Sequence, residues 1–142
     1  MIAYLDTSVF ARRYLPEAGS LGIRAVFRGR RKIAASRLCF VELCAAVSRA
    51  CRERVIDEQQ RDAVIARLPR DFAALSFVVE PRRGIYDGAA RLTAKHPLRA
   101  YDAMQLASCL ELKNHGAATE LWAADGDLVT AARAEGLKVV VP

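Results

Sequence analysis

Short apolar runs alternate along this chain with longer segments of helical periodicity. The apolar runs predict strands at residues 2–5, 32–35, 76–79, 119–123 and 138–141. Helical periodicity predicts helices at residues 8–14, 18–28, 37–53, 57–75 (interrupted or restarted at Pro69), 81–96, 99–114 and 126–135. A strand–helix alternation of this kind predicts a parallel sheet with helices on both faces. The expected fold class is therefore α/β, a three-layer α/β/α sandwich around a central, mainly parallel five-stranded sheet.

The length and continuity of the chain predict a single domain over residues 1–142. It contains no linker-like stretch or internal repeat, and 53% of its residues are apolar, enough for a substantial core. No apolar run approaches the roughly 20 residues that span a bilayer. Asp6, Arg12 and Arg13 also interrupt the N-terminal apolar segment before it could act as a signal peptide. We therefore expect no membrane association and a cytoplasmic location.

Cysteine and histidine chemistry offers little support for a disulfide, a zinc site or a histidine-based triad. The four cysteines form no C-x-x-C pair and have no metal-like spacing with the two isolated histidines, His96 and His115. Cys44 and Cys51 are seven residues apart in an apolar helical pattern, which favours reduced thiols packed in a core.

The charge balance favours a polyanionic partner. Lysine and arginine number 22 against 16 acids, which gives a formal net charge of +6. Excess positive charge is typical of proteins that bind nucleic acid, although any single arginine is more simply explained as a solvated surface residue.

Two acids follow predicted strands. Asp6 ends the first apolar run and precedes Thr7 and Ser8, while Asp125 comes directly after the fourth run. All three residues at positions 6–8 can cap a helix, but one cap is sufficient. Because ligands of parallel sheets bind beyond the carboxyl ends of the strands, both acids should open into the same crevice.

Two further acids stand out on otherwise apolar helices. Glu42 has Leu38, Cys39, Ala45 and Ala46 as its helical neighbours, so a lone ionised carboxylate there would be costly. An arginine partner for Glu42 is the simpler structural explanation.

The remaining acids also have simple structural explanations. Asp102 begins an apolar helix, and a role as an N-cap or first-turn acid that interacts with the helix dipole would be enough to explain it. Capping of the last helix would likewise be enough to explain Asp125 and Asp127.

Convergence of these acids would require a cation. Like charges about 5 Å apart repel by roughly 3 kcal/mol per pair at an effective dielectric constant near 20. Oxygen ligands without histidine or cysteine suit Mg²⁺ or Mn²⁺ and not zinc. A basic protein with an acidic metal pocket has what hydrolysis of a nucleic-acid phosphodiester needs.

Four segments in order resemble the PIN-domain family, in particular the toxin subunits of VapBC-type toxin–antitoxin pairs. They are "YLDTSVF", "SRLCFVELCAA", "LRAYDAMQLAS" and "LWAADGDLVTAARAEGL", and the resemblance covers essentially the whole chain. It implies a PIN-like fold and an acidic quartet formed by Asp6, Glu42, Asp102 and Asp125, with Asp127 as the alternative fourth acid. It also implies supporting hydroxyls at Thr7 and Ser8, and it places Gln105 where many relatives have histidine.

The function implied by this resemblance is that of a Mg²⁺- or Mn²⁺-dependent endoribonuclease acting as a toxin. Its expected partners are RNA, a cognate antitoxin protein and a second copy of the chain, since the helices at 37–53 and 57–75 carry apolar surface that relatives use to dimerise. The alternative is that these helical faces belong entirely to the core.

Two other enzyme or signalling functions fit the residues poorly, and one non-catalytic function remains open. A D-x-D phosphatase would need an acid where Ser8 stands, and a phosphoacceptor receiver domain would need Asp where the third strand is followed by Glu80. A catalytically silent PIN-like RNA-binding or scaffold domain is the main alternative. Retention of all four acids argues against it, because anions facing phosphate weaken binding.

Overall fold

The computed structural model describes residues 1–17 and 19–142. Its centre is a sheet of five strands in the order β3-β2-β1-β4-β5, and every neighbouring pair is parallel. The strands are β1 (Ile2–Leu5), β2 (Ile33–Ser36), β3 (Phe77–Val79), β4 (Thr119–Trp122) and β5 (Lys138–Val140). The predicted parallel five-stranded sheet is confirmed.

Seven α-helices connect and cover the strands in the described part of the chain. They are α1 (Thr7–Phe10), α2 (Ser20–Arg28), α3 (Leu38–Arg52), α4 (Glu58–Ala73), α5 (Arg83–Lys95), α6 (Ala100–Asn114) and α7 (Gly126–Ala134). A 3-10 turn, Ala11–Arg13, continues α1. The predicted ends agree within two residues, except that the predicted 8–14 helix divides into these two pieces and the predicted start at residue 18 lies outside the described residues.

Two apolar cores, one on each face of the sheet, produce the three layers. Along β1, Ile2 and Tyr4 point into the core formed with α5, α6 and α7. Ala3 and Leu5 point into the opposite core, which α1, α2, α3 and α4 cover. Because both faces are buried, β1 is a continuous apolar run and not an alternating one.

Two details of the helices differ from expectation. Helix α4 runs through Pro69 without interruption, although an internal proline leaves the Ile65 carbonyl without its helical partner. Burial of Leu68 and Phe72 in the core holds the helix together across this position. The apolar periodicity of residues 99–114 predicts an amphipathic helix, but α6 is not amphipathic at its centre, because residues 103–109 are all buried.

The strand order creates a switch point between β1 and β4. From β1 the chain builds outward through β2 to β3, and it then crosses to the other side of β1 to form β4 and β5. Leu5 lies opposite Trp122, and the Asp6 backbone N–H donates to the Trp122 carbonyl at 3.0 Å. The segments that follow β1 and β4 therefore leave the sheet side by side, where ligands of open α/β sheets bind. No helix in the described ranges is long and apolar enough to cross a membrane.

Candidate active site

Asp6 is a buried carboxylate at the carboxyl end of the central strand. It is the N-cap of α1, and its Oδ2 accepts hydrogen bonds from the Ser8 backbone N–H at 3.1 Å and the Ser8 hydroxyl at 2.5 Å. The side chain is only 5% exposed. Burial raises the pKa of Asp6, Ser8 opposes that rise, and the charge of Asp102 adds to it. Asp6 is thus both a helix cap and an electrostatically strained acid.

Glu42 is held by a buried network on α3, α1 and α6. Its Oε1 accepts a hydrogen bond from Thr7 Oγ1 at 2.9 Å and from Gln105 Nε2 at 2.7 Å. The arginine partner considered from the sequence is absent among the described residues. Burial raises the pKa of Glu42, whereas Gln105 and Thr7 lower it by hydrogen bonding to the carboxylate, and Asp6 and Asp102 raise it.

Gln105 connects this network to the core of the sheet. The Tyr4 hydroxyl donates to Gln105 Oε1 at 2.8 Å, and Gln105 Nε2 also lies 3.1 Å from Thr7 Oγ1 and 3.1 Å from Cys39 Sγ. Burial raises the pKa of the Cys39 thiol to about 12, so Cys39 is neutral at pH 7 and adds no charge to the site. Gln105 is 1% exposed. A buried amide with this many partners orients Glu42 and leaves it little freedom.

The guanidinium of Arg99 lies near both Asp102 and Asp125. Arg99 Nε lies 3.5 Å from Asp102 Oδ2, and Arg99 Nη2 lies 3.9 Å from Asp125 Oδ2. Asp125 is also the N-cap of α7, where its Oδ1 accepts from the Leu128 N–H at 3.0 Å. Burial and the neighbouring Asp125 raise the pKa of Asp102, and Arg99 lowers it. Asp125 therefore caps α7 and Asp102 is a first-turn acid of α6, as the simple structural explanations expect, but neither role removes the repulsion between the two acids.

The four acids predicted from the sequence are electrostatic neighbours. Asp6 acts on Glu42, Asp102 acts on Asp6 and Glu42, and Asp125 acts on Asp102. Asp127 is exposed in the first turn of α7. No three His, Cys, Asp or Glu side chains in the described ranges form a ready-made metal-binding group. The acids thus form an open cluster and not a closed coordination cage.

An open, oxygen-only cluster fits a hard divalent cation. Mg²⁺ retains several of its waters and is commonly bound through one or two protein carboxylates together with substrate phosphates. The donors here are carboxylate oxygens, and the available thiol, Cys39, is buried and neutral. This chemistry suits Mg²⁺ or Mn²⁺ and is poor for zinc.

Three residues of the site were not assigned a role from the sequence: Gln105, Tyr4 and Arg99. Gln105 could have been recognised as Glu42 was, because it is a polar residue among the apolar residues of its helix. Tyr4 and Gln105 are 101 residues apart in the sequence, so their contact leaves no local sequence pattern.

Sequence comparison finds a protein family whose profile matches most of the chain and a relative that is similar over nearly its whole length. The profile of the PIN domain family matches residues 3–134. The chain is 33% identical over 138 residues to ribonuclease VapC45 of Mycobacterium tuberculosis, which covers 97% of this chain and 94% of that protein.

Solved structures show a similar fold. The crystal structure of Mycobacterium tuberculosis VapC20, described as a sarcin–ricin-loop-cleaving toxin, superposes with a TM-score of 0.71 at 18% identity and covers 99% of both chains. Rickettsia felis VapBC2, solved bound to a DNA fragment from its promoter, has a TM-score of 0.65 at 14% identity, with 99% of this chain and 98% of that chain covered.

Proposed function

The chain belongs to the PIN-domain family, and from this premise we propose that it is the cytoplasmic ribonuclease toxin of a toxin–antitoxin pair. Residues 1–142 form one nuclease domain that hydrolyses internal RNA phosphodiester bonds with the aid of Mg²⁺ or Mn²⁺. Asp6, Glu42, Asp102 and Asp125 are the site acids, and Thr7 and Ser8 support them.

The observation that carries this proposal is the grouping of four acids at the switch point of a basic protein. Three of them, Asp6, Glu42 and Asp102, have raised pKa values caused first by burial and then by the charges of other acids in the group. Groups with this kind of perturbation concentrate at functional sites. A binding module would gain nothing from such a group facing a phosphate backbone.

Each acid has a distinct role in this proposal. Asp6 and Asp102 hold the divalent cation, and Asp125 completes the site from the end of β4. Asp125 is preferred to Asp127 because it acts electrostatically on Asp102, whereas Asp127 is exposed in the first turn of α7. Thr7 and Gln105 orient Glu42 towards the cluster through their hydrogen bonds to Oε1.

A divalent cation held by Asp6 and Asp102 would lower the pKa of water and would offset negative charge on the phosphate under attack. The chain's own contribution is to position the acids, to exclude bulk water around Asp6 and to bring the RNA to them. Arg99 must leave Asp102 and Asp125, at least in part, when a cation occupies their niche, and its exposed side chain is free to do so.

RNA cleavage in the presence and absence of metal tests this function. Purified protein should cleave total RNA with added Mg²⁺ or Mn²⁺, and excess EDTA should abolish cleavage. Cleavage that survives chelation would contradict the metal requirement. RNA binding without cleavage under any metal condition would instead support the catalytically silent alternative.

An antitoxin partner and a homodimer complete the proposal. The family relationship and the structural similarity to toxin–antitoxin complexes support the antitoxin. Two exposed apolar side chains support self-association: Val41 on α3 is 65% exposed and Val55, after α3, is 55% exposed.

Expression and light scattering test these partners separately. The wild-type protein should arrest growth when it is expressed alone, and co-expression of a neighbouring antitoxin gene should restore growth. Light scattering on purified Asp6→Asn protein should give the mass of a dimer. Harmless expression would contradict the toxin role, and a monomer at micromolar concentration would contradict the dimer.

A further inference from the structure

A basic surface feature lies on the side of the sheet that α1, α2, α3 and α4 cover, apart from the acid cluster. It is a surface cavity of about 530 Å³, which we call the arginine pocket. Its walls combine four guanidinium groups with two aromatic rings, from Arg13, Arg24, Arg28, Arg67, Tyr14 and Phe27. Nothing in the proposed catalytic role of the acids accounts for it.

A buried carboxylate beneath the pocket holds one wall in place. Asp71 is 6% exposed and lies 3.4 Å from Arg13 Nη2 and 3.0 Å from Arg67 Nε. The Tyr14 hydroxyl donates to the same carboxylate at 2.7 Å. Arg13 also stacks over Phe27, with its guanidinium carbon 4.0 Å from the ring centroid. These contacts fix the positions of the side chains that form this wall.

The opposite wall carries positive charge without a partner. Arg24 and Arg28 are exposed, stand one turn apart on α2, and form no ion pair with any carboxylate in the described ranges. Like charges at this spacing destabilise a helix. Four arginines face one buried acid, so an anion in the pocket would relieve an existing repulsion.

The pocket is close enough to the acid cluster to serve the same substrate. Arg13 ends the 3-10 turn that continues α1, and Asp6 caps the start of α1. This places the two residues about 12 Å apart along the helical segment. A polyanion that approaches four carboxylates is repelled by them. Apart from the metal ion proposed for the cluster itself, its affinity must therefore come from cations elsewhere on the surface.

We infer that the arginine pocket binds the phosphodiester backbone of the RNA substrate, which it holds next to the acid cluster. Arg24 and Arg28 supply the free guanidinium groups, whose paired N–H donors match phosphate oxygens. Arg13 and Arg67 supply a fixed positive wall. The inference rests on the proposed ribonuclease function and adds to it the surface that receives the substrate.

Fluorescence anisotropy with a labelled single-stranded RNA of mixed sequence tests the pocket in the Asp6→Asn background. The variant is Arg24→Gln with Arg28→Gln, and the charge-matched control is Arg91→Gln with Arg133→Gln, on α5 and α7 across the sheet. Loss of two phosphate contacts should reduce the slope of log affinity against log salt by about 1.4. Affinity at low salt should fall by roughly tenfold or more. Arg24→Lys with Arg28→Lys should restore much of the salt dependence.

The outcomes separate this inference from the proposed function. If wild-type protein cleaves RNA and the pocket variant binds RNA with the affinity and salt slope of the control, the inference is wrong and the function stands. If the variant keeps RNA binding but no longer co-purifies with the antitoxin, the pocket receives an acidic protein segment and the inference is again wrong. If wild-type protein neither binds nor cleaves RNA, both proposals fail.

Discussion

Gln105 Nε2 donates a hydrogen bond of 2.7 Å to Glu42 Oε1, and the same amide accepts the Tyr4 hydroxyl through its oxygen. One side chain thereby ties an acid of the cluster to the central strand. Because Gln105 Oε1 accepts from a hydroxyl and Gln105 Nε2 donates to a carboxylate, only one orientation of the side-chain amide satisfies both hydrogen bonds. A site built in this way depends on a residue that has no charge of its own.

Replacement of Gln105 by leucine should lower both stability and cleavage. The change leaves the Tyr4 hydroxyl and part of the Glu42 carboxylate without partners, at a cost of about 1–3 kcal/mol in unfolding free energy. Loss of an orienting contact should reduce cleavage by about 10- to 100-fold. Urea unfolding and initial cleavage rates measure these effects. Gln59→Leu, on the exposed surface of α4, is the control, and a Gln105→Leu protein that behaves like it would contradict the positioning role.

Replacement of Asp6 by asparagine should stabilise the metal-free protein increasingly as pH rises. Asparagine retains the cap but cannot ionise. Since the pKa of Asp6 is raised on folding, its contribution is favourable below its unfolded value of 3.8 and is lost as pH rises through the folded value. The stability of the variant relative to wild type should grow as pH rises above the unfolded value of 3.8, and it should level off once Asp6 is ionised in the folded protein. Urea unfolding in EDTA tests this, and a difference that is constant or shrinks with pH would be inconsistent with a strained Asp6.

Asp102→Asn should raise the melting temperature in EDTA. It removes repulsion with Asp125 while the shape of the side chain is retained. Added Mg²⁺ should then stabilise wild type more than the variant, since binding to the folded state stabilises it. Asp87→Asn, whose side chain is 59% exposed on α5, is the matched control. A variant clearly less stable than wild type in EDTA would favour the purely structural role of Asp102 as a first-turn acid paired with Arg99.

Arg99→Gln should have the opposite effect in EDTA. Arg99 is 86% exposed, so the loss of its ion pairs should cost less than about 1 kcal/mol. Without this cation, Asp102 and Asp125 repel more strongly, and Mg²⁺ should raise the melting temperature more than in wild type. Melting curves over a magnesium titration, with Arg91→Gln as control, measure both changes. If Mg²⁺ raised the melting temperature of the variant no more than that of wild type, Arg99 would not compete with the metal ion for the site beside Asp102 and Asp125.

Much of the architecture could be predicted from local patterns. Strand–helix alternation predicts the parallel sheet, and the position of Asp6 and Asp125 after apolar runs predicts their shared edge. The predicted interruption at Pro69 is wrong, because the proline rule describes the local penalty and not the burial of Leu68 and Phe72 that outweighs it.

Long-range polar contacts could not be predicted in the same way. The Arg67–Asp71 pair has helical i,i+4 spacing and was visible in principle, but the contact from Tyr14 to Asp71 spans 57 residues. The charge of the chain predicted a polyanionic partner without indicating which arginines converge. Only the packing of α2 against the segment after α1 brings Arg24 and Arg28 to Arg13.

Single-turnover RNA cleavage by Asp6→Asn and Asp87→Asn proteins, side by side with wild type at saturating Mn²⁺, tests the acid cluster itself. Both changes remove one carboxylate and one formal charge, but only Asp6 lies in the cluster. Asp6→Asn should lose at least about 100-fold in cleavage rate, because its carboxylate helps to hold the cation, while Asp87→Asn should cleave at the wild-type rate. Equal rates for the three folded proteins would contradict the assignment of the acid cluster as the ribonuclease active site.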